Sequence, residues 1–103
     1  IEVKLPSSIK VGGVDFTIEC SPETNRELQA LNLWGQFSPQ LQRIRLATDT
    51  DILPQKFGQS TIHEIIHAID SIYVGGELTE KQIDALAQGL FQVMEQLGVR
   101  FVK

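Results

Sequence analysis

Cysteine is almost absent: Cys20 is the one cysteine in 103 residues. No disulfide can form within the chain, and zinc sites built from several cysteines are excluded. Histidine is nearly as scarce, with two residues. No apolar run approaches the ~18 residues that a membrane span needs. Positive charge is sparse, with 9 Lys and Arg against 13 Asp and Glu, a net charge of −4. The pI is about 5.0. The densest basic feature is the pair Arg43 and Arg45. A nucleic-acid partner, gripped through phosphates, is therefore disfavoured, and a membrane partner is not expected. No secretory leader is visible, so the simplest compartment is the cytoplasm.

What remains is ordinary for a folded domain: 42% hydrophobic and 21% charged residues. The length bounds the chain to one domain, residues 1–103. Its first half reads as β-rich and its second half as helical, an α+β class. Val14, Phe16, Ile18 and Cys20 alternate after Gly12-Gly13, with Ile9 to Val11 before it. That pattern predicts a hairpin with one inward face, Cys20 included. A short helix is expected over Glu23 to Leu33. Strands are expected at Trp34 to Phe37 and Gln40 to Ala47, with a loop over Asp49 to Pro54. Trp34, Phe37 and Phe57 read as core, and Arg43 with Arg45 as a solvated strand face.

Two helices close the chain. One runs from Gln55 or Ser60 to Tyr73 and is stopped by Gly75-Gly76. Phe57, Thr61, Ile65, Ala68, Ile69 and Ile72 share its apolar arc. The other starts at a capping box, Thr79 with Gln82, flanked by the Leu78 and Ile83 staple. Its apolar arc holds Ile83, Leu86, Ala87, Leu90, Phe91, Met94 and Leu97. Val99 to Val102 reads as a short terminal strand or tail.

Both histidines fall in one pattern, His63-Glu64-Ile65-Ile66-His67, which is HExxH. On a helix, residues four apart stand one turn above each other. Two imidazoles can then reach one Zn2+, and Glu64 between them can take a proton from a water the metal activates. At average residue usage the pattern arises by chance in about one such chain in a few hundred. A third ligand must come from a carboxylate. The last helix offers Asp84 and Glu80 near its apolar side. If the two helices pair antiparallel from their nearest ends, His67 is level with a point beside Asp84. That register favours Asp84 as the third ligand, with Glu80 as the alternative. The carboxylate that does not bind metal would hydrogen-bond a ligating histidine. Asp70 is a candidate supporting carboxylate, although a solvated aspartate is the plainer reading. Tyr73 is a candidate oxyanion donor, although a packing tyrosine is the plainer reading.

The stretch from Thr61 to Leu97 resembles small zincin-like metallopeptidases of phages and prophages. These are similar to the minimal gluzincin core of ImmA/IrrE-type and SprT-like peptidases. The resemblance implies a small antiparallel sheet of three or four strands packed on the HExxH helix and the C-terminal helix, with zinc between the helices. It implies a zinc-dependent hydrolase acting on a peptide or protein substrate. His63 and His67 match the ligands, and Glu64 matches the general base. Asp84 to Leu90 is similar to the segment carrying the third ligand in ImmA-like peptidases. The spacing of Glu80 and Asp84 instead resembles larger gluzincins, where the Glu binds metal and the Asp supports a histidine. An extended peptide is expected to add to the strand around Ile44. The alternative is a phage or mobile-element binding module with a structural or vestigial zinc site. Oligomeric state is left open.

Overall fold

The computed structural model describes residues 1–48 and 54–103. The loop expected over Asp49 to Pro54 lies outside them, Pro54 excepted. Strands β1 (Glu2–Lys4), β2 (Ser8–Val11) and β3 (Val14–Glu19) lead into helix α1 (Pro22–Ala30). Strands β4 (Gly35–Ser38) and β5 (Arg43–Leu46) follow. Helix α2 (Pro54–Ile69) continues into a π-helical turn, Asp70–Val74. Helix α3 (Glu80–Gln96) and strand β6 (Arg100–Val102) end the chain. The α+β class is as expected. Among the described residues no helix is long and apolar enough to cross a membrane.

The hairpin forms where Gly12 and Gly13 both take positive φ, 56° and 86°, the backbone a tight two-residue turn requires. Gly12 has a second reason to lack a side chain, because a Cβ there would collide with Ile72. Helix α1 is capped by Ser21, whose Oγ accepts from the Thr24 amide at 3.0 Å.

The sheet order is β2-β3-β5-β4, and it is mixed rather than antiparallel. β2 with β3 and β4 with β5 are antiparallel, but β3 and β5 run parallel. The cause is α1, which carries the chain from β3 to the far edge, so that β5 returns into the gap alongside β3. β5 is thus an inner strand, and the expectation of a free edge around Ile44 fails. The edges are β2 and β4. A separate parallel pair joins the two ends of the chain, with Val3 opposite Phe101.

One sheet face packs on α2 through Phe16, Ile44, Leu46, Phe57 and Ala68. A second cluster joins α2 to α3 through Ile62, Ile66, Ile83 and Ala87. Phe101 touches both. Helix α2 is therefore covered by the sheet and by α3 at once, a wider buried arc than the expected stripe, while Ile69 is exposed. In α3 the buried stripe narrows to Ile83 and Ala87 with Phe91 and Met94 at its margins. Leu86, Leu90 and Leu97 lie exposed, because α3 meets one neighbour along one side.

The opposite sheet face is charged, and Arg45 at its centre is buried rather than solvated. Arg45 is 7% exposed, bonded to Gln36 at 3.2 Å and paired with Glu19 and Glu27. Helix α1 covers it by supplying Glu27. Cys20, expected to face inward, lies one residue beyond β3 and is exposed.

Candidate metal centre and its cleft

His63 and His67 stand on adjacent turns of α2 with ring centroids 5.0 Å apart. Both are half-buried between the sheet and α3. Their Nε2 atoms converge on one carboxylate. Glu80 Oε1 lies 2.8 Å from His63 Nε2, and Oε2 lies 3.2 Å from His67 Nε2. One donor atom from each of these three residues fits within a 4.8 Å span. Asp84 is placed differently: its Oδ1 meets His63 Nδ1 at 3.0 Å, on the far side of the ring. Of the two carboxylates, Glu80 joins the group, and Asp84 orients one of its imidazoles.

This register differs from the one the helix ends implied. The connection after Gly75 does not simply turn over into α3. It doubles back along the last turn of α2. Asp70, 5% exposed, holds it there: its Oδ1 accepts from the Leu78 amide at 3.2 Å, and its carbonyl accepts from Gly76 at 3.0 Å. Helix α3 therefore starts level with His67, about one turn earlier than a direct connection would give. The capping box then fixes the helix start, with Thr79 Oγ1 accepting from the Gln82 amide and Gln82 Oε1 from the Thr79 amide. Glu80 is the first helical residue and is aimed at the histidines. Asp70 thus serves the connection rather than a histidine ring. Tyr73 lies against Gly12 in the β2–β3 turn, outside the group.

Glu64 places a carboxyl where water is scarce, at 6% exposure. Gly35 at the start of β4 makes room for it. A Cβ on Gly35 would stand 2.8 Å from Glu64 Oε2 and 3.0 Å from its Cγ. Burial first, then the Glu80 and Asp84 carboxylates, push the Glu64 carboxyl up from 4.5 to about 8. A group with that value exchanges a proton readily near neutral pH.

Phe37 packs against the core as expected and also touches the site, whereas Trp34, read as core, does not lie in that core. Phe37 stacks on His67 with ring planes 6° apart and centroids separated by 5.9 Å, and Phe16 supports Phe37 from behind. Trp34 is 50% exposed and forms a wall of a cleft of about 280 Å3 beside His63 and Glu64. Its sequence signal was weak: an aromatic residue directly before Gly35 looks like any strand start.

The donor set suits zinc chemically. Two imidazoles and a carboxylate are nitrogen and oxygen ligands of the expected kind, and three of them leave a coordination position for water or substrate. Compared with known protein families, with curated proteins and with solved structures, the chain finds no match.

Proposed function

We propose that the protein is a zinc-dependent peptidase of minimal, gluzincin-like design. His63, His67 and Glu80 would hold the metal, and bound zinc would act as a Lewis acid toward water and the peptide carbonyl. The observation that carries this reading is the buried Glu64 carboxyl beside a three-donor group. A structural site closes with four protein ligands, whereas three donors next to a proton-accepting carboxyl are the parts hydrolysis needs.

In this reading Glu64 takes a proton from the attacking water and passes it to the leaving amine. Its place beside the histidines suits both halves of that task. Asp84 accepts from His63 Nδ1, which directs the lone pair of Nε2 toward the metal position. Phe37 fixes the plane of the His67 ring. Among the described residues β4 is the sheet edge next to α2, and such an edge is where an extended peptide would add.

The test separates metal binding from turnover. Glu64→Gln is expected to keep zinc and lose peptide hydrolysis, since the amide cannot accept the proton. Hydrolysis that survives in that variant contradicts the mechanism.

A further inference from the structure

The cleft beside Glu64 has a charge pattern of its own. It is lined on α2 by Lys56, Gln59, Ser60, His63 and Glu64, with Trp34 and Gly35 opposite. Asp84, Ala87 and Gln88 of α3 form its other side. Lys56, Gln59 or Ser60, and His63 are spaced so that they climb one face of α2. The distance from His63 to Lys56 along the helix axis is about 10 Å. That is about three residues of extended chain.

Charge is divided along that length. Glu64 and Asp84 lie at the histidine end. Lys56 is the one cation among the described residues that line the cleft, and it sits at the other end. Its Nζ is held 5.4 Å from the centre of the Trp34 ring. The ring restricts where the ammonium stands, at the wall of the cleft. Between the two ends the polar groups are neutral: Gln59, Ser60 and Gln88. A carboxylate entering beside Asp84 meets repulsion, and one reaching Lys56 meets a charged donor. The cleft therefore discriminates by the position of a charge as well as by its sign.

We infer that this cleft selects peptides carrying a carboxylate about three residues from the bond held at the histidines, with Lys56 as the group that receives it and Trp34 as the wall beside it. The inference rests on the peptidase reading above. The carboxylate can come from an acidic side chain or from a chain end, and the test separates the two.

Trp34 is the sole tryptophan, so intrinsic fluorescence reports directly on the cleft. The probes are acetylated, amidated alanine hexapeptides with one Glu moved along the chain. They are joined by the peptide without Glu and by an acetylated alanine hexapeptide with a free carboxyl end. Each is titrated into zinc-treated Glu64→Gln protein, which leaves the peptide uncut. One Glu register, or the free-ended peptide, is expected to bind about five- to tenfold tighter than the uncharged peptide at low salt. Which of the two gains identifies the source of the carboxylate. Lys56→Gln should abolish the gain and Lys56→Arg should retain it, with far-UV circular dichroism showing that both stay folded. No binding, no preference for charge, or the same preference in Lys56→Gln overturns the inference. Zinc content is measured on the same samples. Protein that lacks zinc yet shows a Lys56-dependent preference refutes the peptidase reading alone. Protein that holds zinc and cuts peptides without the preference refutes the cleft assignment alone.

Discussion

Replacing Gly35 by alanine tests the packing that places Glu64. The backbone of Gly35 does not need positive φ, so alanine is resisted by the neighbouring side chain and not by the turn geometry. The new Cβ would fall 2.8 Å from Glu64 Oε2, 3.0 Å from Cγ and 3.2 Å from Cδ. Ordinary contact begins near 3.4 Å, so the carboxyl must withdraw by about half an ångström or more. Crowding of this kind costs about 1–3 kcal/mol in a packed site. Against it stands about 0.4–1 kcal/mol gained because alanine restricts the unfolded chain. The net expectation is a loss of about 1 kcal/mol. The decisive comparison is a double-mutant cycle in urea unfolding of metal-free protein. In a Glu64→Ala background the three close atoms are gone, and Gly35→Ala should become neutral or stabilising. Equal penalties in both backgrounds would refute the argument, because the cost would then come from the β4 backbone. In the zinc-treated protein the same substitution should lower peptide turnover by about tenfold or more while leaving zinc content unchanged, since small misplacements of a reacting group are costly.

Three further outcomes follow from the site. Glu80→Gln should weaken zinc binding more than Asp84→Asn, whose effect should lie within about 10–100-fold, as measured by competition with a chromophoric chelator. Asp70→Ala should also weaken zinc binding, although Asp70 touches neither histidine, because the connection it holds sets the start of α3; Asp70→Asn keeps the acceptor for the Leu78 amide and should preserve most of the affinity. In metal-free protein the pH dependence has a fixed sign. The Glu64 carboxyl holds its proton to about 8 when folded, against 4.5 ordinarily. The folded state therefore binds more protons, and this group's contribution to stability is present below about 4.5 and lost as pH rises toward 8. Urea unfolding in chelator between pH 5 and 8 should show that fall, and Glu64→Gln should flatten it.

The sequence was most legible where local chemistry decides. Gly12-Gly13 permits a two-residue turn that few other pairs allow, so the hairpin was readable. Thr79 and Gln82 satisfy each other's backbone amides, so the start of α3 was readable to within a residue. His63, Glu64 and His67 were singled out by residue type and spacing alone. Legibility failed where distant segments decide. The alternation of β3 and β5 is the same whether they pair parallel or antiparallel, and nothing local reports that α1 sends the chain to the far edge. β1 is three exposed residues whose partner is at the other end of the chain. Arg45 looks solvated from its strand pattern, but Glu27 arrives from α1 to cover it. The different placements of Glu80 and Asp84 turned on the same kind of fact: Asp70 draws the connection back along α2, which shifts α3 by about a turn.

The most direct test of the account is the metal content of untagged protein, by elemental mass spectrometry, with His63→Ala and Glu80→Ala prepared alongside. About one zinc per chain, lost in both variants, is the predicted result. Wild-type protein that carries no zinc and takes none up on titration would contradict it.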